Sequence, residues 1–474
     1  MLSRRAGAAI TVLLLCLTTS GCGSSGGLDA TTQRERSTDS DVPFIGCDKV
    51  RCTGELDGAK YEVKLPEKWN GTLLLWSHGY RQARPAPPDF EPVETGADAA
   101  PSDETAQDLL GKGYALAGSA FATNGWDVLD GIKANEALHA WFSRQVARPY
   151  RTYVWGESLG GLITQTLAEK HPEWVTAAAP LCGVVGGTNL NLDLVLDVTY
   201  AVKSLLSPEL KLAEYASFDE AVVNFNAAYK AILAATKDVR NGVPKLLVIA
   251  AIVDAPRQTR TYDGHDTPSR LGAVVESLLT AVGYGTYGRW EIEQRVGGNP
   301  STNADTDYAQ RVSAEEKSLP EAVAAGSVRR NLALLAQGAR VSADSAARAK
   351  ADTLGNPTGV LKDPTLTLHT AADPLVVVQN ERVFGERVVA ATKKRKGDLL
   401  QLYTRAPATY TTAPYGAGHC NFTTRELVGV VSLLDQWARQ GAYPTTADIT
   451  KAFADDPGLD LGYAPALWPD PKAE

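Results

Sequence analysis

Thr152-Tyr153-Val154-Trp155-Gly156-Glu157-Ser158-Leu159-Gly160-Gly161 constrains this chain more than any other stretch. A short apolar run of strand type stops at Gly156. From Gly161 to Ala168, Leu162, Ile163, Thr166 and Leu167 recur at helical spacing. Between strand and helix stands a G-x-S-x-G turn with Ser158 at its centre. A serine held on so sharp a turn sits in strained backbone, and the residues two before and two after it must be small. The helix that follows aims its N-terminal amides at any charge developing near the serine oxygen. The pattern predicts a nucleophilic serine at a sheet edge. The plainer alternative is a Gly-rich turn with a capping serine.

The chain has 474 residues, long for one simple domain and suited to one domain with a large insertion. With 44% hydrophobic residues it has enough apolar side chains for a sizeable core. A net charge of −8 argues against nucleic acid as a partner. Beyond the N-terminus no stretch is long and apolar enough to span a bilayer.

Residues 1–21 read as a signal peptide, with basic Arg4 and Arg5 followed by an apolar run from Ala6 to Leu17. Thr19-Ser20-Gly21-Cys22 resembles a bacterial lipobox with Cys22 as the lipid-bearing residue, although Thr19 stands where a leucine is usual. Plain secretion is the alternative. Residues 22–45 read as a flexible tether. Membrane association is expected only through that lipid anchor, at a bacterial cell surface.

Four cysteines follow: Cys47, Cys52, Cys182 and Cys420. An even number in an exported chain suggests two disulfides, and three pairings exist. Cys47 with Cys52 is the local choice, which leaves Cys182 with Cys420. Free buried cysteines are the alternative. No C-x-x-C pair or histidine cluster accompanies them, so no metal and no cofactor is assigned.

Strands are expected at Tyr61–Leu65, Thr72–Ser77, Tyr114–Ala120 and Trp174–Leu181, and helices at Glu104–Gly111 and Asp127–Val146. Strands alternating with helices imply a parallel sheet covered on both faces. The next convincing strand is Thr365–Thr370, roughly 180 residues later, far beyond an ordinary crossover. The intervening residues 183–363 are read as a helical cap, with helices at Leu192–Leu206, Phe218–Ala235, Leu271–Val282 and Ser327–Ala351. Lys245–Ile252 suits a strand or a buried helix equally. Residues 46–182 and 364–474 then make up the two parts of the core, with a last strand at Leu400–Thr404, an amphipathic helix at Thr423–Arg439 and a loop-rich tail.

Two further motifs complete a constellation. Ala371-Ala372-Asp373-Pro374 begins directly beyond the strand ending at Thr370, and Gly416-Ala417-Gly418-His419-Cys420 lies between the last strand and the last helix. The order Ser158, Asp373, His419 at strand ends resembles the α/β-hydrolase superfamily from about Tyr61 to Gln440. The resemblance implies a mostly parallel sheet with helices on both faces and a variable cap. It also implies a Ser158-His419-Asp373 triad with an acyl-enzyme intermediate. The oxyanion would be met by the backbone N–H of Leu159 and, from His78-Gly79-Tyr80, that of Tyr80. Asp254, inside the cap, is the rival acid. His139 and His171 are expected on solvated helix faces, His265 in a polar loop and His369 in or beside the core. His78 is expected to brace the oxyanion loop.

Serine in this role separates the chain from haloalkane dehalogenases and epoxide hydrolases of the same fold, which carry an aspartate there. His78-Gly79-Tyr80-Arg81-Gln82 also departs from the H-G-G-P-G of proline-iminopeptidase-like enzymes. His419-Cys420 is similar to tannases and feruloyl esterases, in which cysteines beside the serine and histidine are bridged. Residue 157 is Glu here, and Cys182 at the neighbouring strand end would supply the missing partner. Tyr284, Tyr287 and Trp290 either line a pocket or form the cap's own core. The expected function is hydrolysis of a small or polymeric carboxylic ester. An amino- or oligopeptidase of the same fold is the alternative, and a non-catalytic binding module on that fold is another.

Overall fold

The computed structural model describes residues 47, 50–315, 325–392, 398–411, 413 and 415–466. The signal, lipidation and tether expectations, including Cys22, lie outside the described residues. No helix among the described residues is long and apolar enough to cross a membrane.

The strands are β1 (Arg51–Leu56), β2 (Ala59–Lys64), β3 (Thr72–Ser77), β4 (Ala115–Ser119), β5 (Arg151–Glu157), β6 (Ala177–Leu181), β7 (Thr365–Thr370) and β8 (Leu399–Thr404). They form one sheet in the order β1-β2-β4-β3-β5-β6-β7-β8. From β4 to β8 every neighbouring pair is parallel, while β2 runs antiparallel to both β1 and β4. β3, β4, β6 and β7 are buried at every position, as strands covered on both faces must be. β1 is mostly exposed and carries little apolar signal. Its cue is the turn that follows, where Asp57 (φ 51°) and Gly58 (φ 82°) both take positive φ, as a two-residue hairpin requires.

Helices α1 (Asp103–Gly111), α2 (Val128–Gln145) and α3 (Leu159–Lys170) alternate with the first parallel strands. Between β6 and β7 come α4 (Thr188–Leu205), α5 (Phe218–Lys237), α6 (Gly242–Ile252), α7 (Thr267–Gly283), α8 (Arg289–Val296), α9 (Tyr308–Glu315), α10 (Ala325–Gln337) and α11 (Ser345–Asp352). α12 (Gln379–Thr392) follows β7, and α13 (Thr424–Gln440) and α14 (Thr446–Ala452) follow β8. α2 and α3 pack on one face of the sheet, and α1, α13 and α14 on the other. The helices between β6 and β7 bury a separate apolar cluster of their own, including Leu196, Phe225, Ile232, Ile249 and Leu278.

Several elements differ from expectation. β6 begins at Ala177, because the Trp174 and Val175 amides both donate to the His171 carbonyl in a turn. The helix expected over Ser327–Ala351 is two, α10 and α11. Asp344 caps the second by accepting from the Ala346 and Ala347 amides. Lys245–Ile252 belongs to a helix that is apolar all round, which is why its period was uninformative. α12 and α14 occupy stretches where no element was expected. Tyr284–Gly288 forms a π-helical turn joining α7 to α8.

Candidate active site

The strand order, with its antiparallel start and parallel remainder, is that of the α/β-hydrolase fold. In open sheets of this kind ligands meet the carboxyl ends of the strands. Ser158 stands there, directly beyond β5, with φ 59° and ψ −122°. It occupies the N-cap position of α3, but its side chain makes no capping bond to the helix. Its amide donates to the Leu181 carbonyl at 3.0 Å, tying the turn to the end of β6. A Cβ on Gly156 would lie 2.5 Å from the Ser77 carbonyl oxygen, and one on Gly160 would collide with the Ser77 and His78 carbonyls. Only glycine permits that approach between α3 and β3.

Asp373 and His419 come from separate loops and meet. His419 Nδ1 lies 2.8 Å from Asp373 Oδ2. The other oxygen, Oδ1, accepts from the Leu375 and Val376 amides, each at 2.9 Å, which fixes the carboxylate plane. Burial alone would raise the Asp373 carboxyl, but His419 and His369 outweigh it and hold the group well below the usual carboxylate range. The Gly418 amide donates to the Ala372 carbonyl and the Thr370 hydroxyl to the Gly418 carbonyl, both at 2.8 Å. The histidine loop is thereby laced to the aspartate loop.

A disulfide joins Cys182 to Cys420, and a second joins Cys47 to Cys52. Cys182 follows β6 directly and its amide donates to the Leu368 carbonyl at 2.7 Å. Cys420 Sγ lies 3.4 Å from His419 Nε2. Ser158 is thus hydrogen-bonded to Leu181, whose neighbour Cys182 is bonded to the neighbour of His419. The Cys182, His419 and Cys420 donor atoms cluster within 4.8 Å, but the two sulfurs are bonded to each other and present no thiolate pair.

The loop after β3 runs against Ser158, and a Cβ on Gly79 would lie 3.2 Å from Ser158 Cβ. His78 Nδ1 is 2.7 Å from the Gly79 carbonyl oxygen, and its ring stacks on Phe121 with centroids 4.0 Å apart. Burial, then Arg81, lowers His78 to about 3, so it braces the loop as a neutral ring. In a trans peptide the carbonyl and the next amide point opposite ways. Fixing the Gly79 carbonyl therefore fixes the direction of the Tyr80 N–H. Among the described residues, neither the Tyr80 nor the Leu159 amide donates a hydrogen bond.

The helical insertion roofs this edge. Arg260 donates to Asn421 Oδ1 at 2.9 Å, and its backbone packs on Gly418. Glu157, half-buried beside Ser158, is pushed up to about 8 by burial, with Arg260 pulling the other way. The aromatic stripe divides. Tyr284 meets Tyr80 edge-on at 5.3 Å, whereas Tyr287 packs on Phe225 and Trp290 on Phe218 within the insertion.

Asp254 does not meet His419; its carboxylate accepts from the Gln379 side chain. His139 and His171 are half-buried at the surface rather than freely solvated. Both stack on Trp174, and His171 bonds Glu136 and Glu173 at the end of α3. His265 lies in a polar loop against Asp263, and His369 is fully buried. Sequence reasoning passed over Glu381, which faces His369, and Arg260, which reaches the histidine loop. Neither stands in a recognisable motif.

No family model and no curated protein matches this sequence. Solved structures with which it aligns include feruloyl esterase B from Aspergillus oryzae, 12% identical over 83% of this chain and 80% of that one, with a TM-score of 0.38. An acylaminoacyl peptidase from Pyrococcus horikoshii is 10% identical over 85% of this chain and 43% of its own, with a TM-score of 0.37. The rice cell wall degrading esterase LipA from Xanthomonas oryzae is 13% identical over 81% and 85%, with a TM-score of 0.33.

Proposed function

We propose that this protein is a serine hydrolase acting on carboxylic esters. Ser158 attacks the acyl carbonyl, His419 takes its proton and returns it to the leaving alcohol, and Asp373 holds the imidazole tautomer and stabilises the imidazolium. The Tyr80 and Leu159 amides receive the oxyanion. Water then releases the acyl group from Ser158 by the same route. The observation that carries this reading is the 2.8 Å Asp373–His419 contact at the sheet edge where Ser158 is held at φ 59°. Two amides beside Ser158 that have no other partner among the described residues support it.

Ser158→Ala is expected to keep the wild-type melting temperature and to lose at least about a thousandfold in kcat, the remainder coming from binding and the oxyanion amides. The wild type, but not the variant, is expected to react with a serine-directed fluorophosphonate. A well-folded Ser158→Ala enzyme with near-normal turnover ends the assignment. p-Nitrophenyl esters set against aminoacyl anilides decide ester over peptide: faster turnover of the anilides transfers the protein to the peptidase reading.

A further inference from the structure

Behind the proposed triad lies a second histidine that the mechanism above does not use. β7 alternates. Leu366 and Leu368 join the apolar core with α13, while Thr367 and His369 face α12. His369 has no solvent exposure, and neither has Glu381, which α12 brings opposite it. His369 Nδ1 lies 3.3 Å from Glu381 Oε1. His369 Nε2 lies 2.9 Å from the Val376 carbonyl and 3.6 Å from Asp373 Oδ2, the oxygen that His419 also contacts. Glu381 Oε2 is held by the Thr367 hydroxyl at 2.6 Å and by the Gln401 amide at 2.8 Å.

Both ring nitrogens of His369 therefore face groups that only accept: a carboxylate on one side, and a carbonyl and a carboxylate on the other. A neutral imidazole carries one N–H and would turn a lone pair towards one of them. We propose that His369 is a permanently charged positioning residue, an imidazolium clasped between Glu381 and Asp373 that holds the triad carboxylate ionised and tempers its pull on His419. The proposal rests on the serine hydrolase reading of the site.

Charge counting supports it. Without the cation, Glu381 and Asp373 would be two buried carboxylates with no positive charge between them to offset their repulsion. With it, the group of Glu381, His369, Asp373 and His419 carries one net negative charge at rest and none when His419 is protonated during turnover. Burial works to lower His369, but the Asp373 and Glu381 carboxylates prevail and raise it to about 10. The remaining titratable neighbours agree. Tyr403 pairs with His369 across β8, and Tyr284 lies within electrostatic reach of Asp373; burial chiefly raises both phenols, so they stay neutral. α13 brings Leu427, Val430, Val431 and Leu434 to the core that it shares with β7.

A positive charge behind Asp373 offsets part of the field that this carboxylate casts on the reacting edge. His369→Gln retains an N–H able to reach the Val376 carbonyl and deletes the charge. In that variant the acidic limb of the kcat/KM profile is expected to move up by about one pH unit, which is about a tenfold loss of kcat/KM on the limb. The plateau above it changes by no more than a few fold. A role in packing alone would lower the plateau and leave the limb in place, and an unmoved limb in a folded His369→Gln enzyme overturns the proposal. If the variant does not fold, the wild type still decides. Histidine-selective nitrogen-15 NMR at pH 8 is expected to show both His369 nitrogens protonated, and a neutral tautomer overturns the proposal whatever the kinetics. The NMR result stands apart from the reaction: a Ser158→Ala enzyme that keeps its activity would refute the hydrolase reading and leave the charge state of His369 measured.

Discussion

At the scale of single residues, the proposed mechanism asks more of the Asp373 carboxylate than of any group but the serine. Oδ1 is committed to two backbone amides, so an Asn in its place keeps its carbonyl there and turns its NH2 towards His419 Nδ1. The imidazole would then be held in the tautomer that cannot accept the serine proton. Asp373→Asn is expected to lower kcat by about 10⁴-fold with little change in KM. Asp254→Asn, whose carboxylate serves Gln379, is expected to stay within a few fold. Steady-state kinetics on the two variants side by side would expose a wrong assignment, since the reverse ranking makes Asp254 the acid. The meeting of Asp373 with His419 was legible from the position of Asp373 just past a strand. His369 was not, because a histidine within a strand looks like core until Glu381 is seen opposite it.

Among elements, the decisive feature is the strap across the sheet edge. Ser158, Cys182 and Cys420 all take positive φ, at 59°, 41° and 48°, where side chains other than glycine's are strained. Such backbone persists only where its surroundings over-determine it. The disulfide spans a sequence separation of 238 residues, and on chain-entropy grounds a loop of that length is worth up to about 5 kcal/mol. The Cys182→Ser/Cys420→Ser double variant is expected to melt several degrees lower. It is also expected to lose about ten- to a hundredfold in kcat as the His419 loop loosens by about 1 Å. Calorimetry and turnover measured on the same sample separate the two effects: a lower melting temperature with unchanged kcat would leave the strap a stabiliser only.

For the molecule as a whole, buried titratable groups set a narrow stability optimum. Burial raises the Asp127 carboxyl to about 8 and that of Glu426 to about 7. A raised carboxyl favours folding while it is protonated, so this contribution drains away as pH climbs from about 4 to 8. His369, raised to about 10, adds stability that is complete below about 6.5 and lost as pH rises through 10. On the acid side, burial lowers His78 to about 3 and His139 to about 4, and Asp373 is lowered by its histidines. Those contributions are lost as pH falls, from about 6.5 for the histidines and from about 4 for the carboxyl. Above about 6.5 only losses remain, so the melting temperature is expected to peak on the acid side of neutrality, between about pH 4 and 6.5. Asp127 starts α2 with no capping bond and with one buried oxygen that has no partner among the described residues, so Asp127→Asn is expected to raise the melting temperature by a few degrees at pH 9 and by less at pH 5. Melting curves in which the gain does not grow with pH would refute this origin of the alkaline loss.

The sequence by itself determined the parts whose chemistry is local. β3 is an apolar run and β7 alternates leucine with threonine and histidine, and both begin and end where their side chains said they would. The glycines around Ser158 announced the sharp turn, because no other residue lets α3 approach β3 so closely. The order of Ser158, Asp373 and His419 at strand ends placed all three at one sheet edge, where Asp373 and His419 do meet. Tertiary structure alone decided whatever depends on partners distant in the chain. An all-apolar segment became helix α6 because its neighbours could bury every side of it. Tyr284 left its own stripe because a π-helical turn aims it at Tyr80. Cys182 found Cys420, and His369 was enclosed between Asp373 and Glu381, because the sheet brings β6, β7 and the loops beyond them to one edge. Spacing along a chain carries the period of one element, and it carries nothing about which charges will share a ring once the elements are packed.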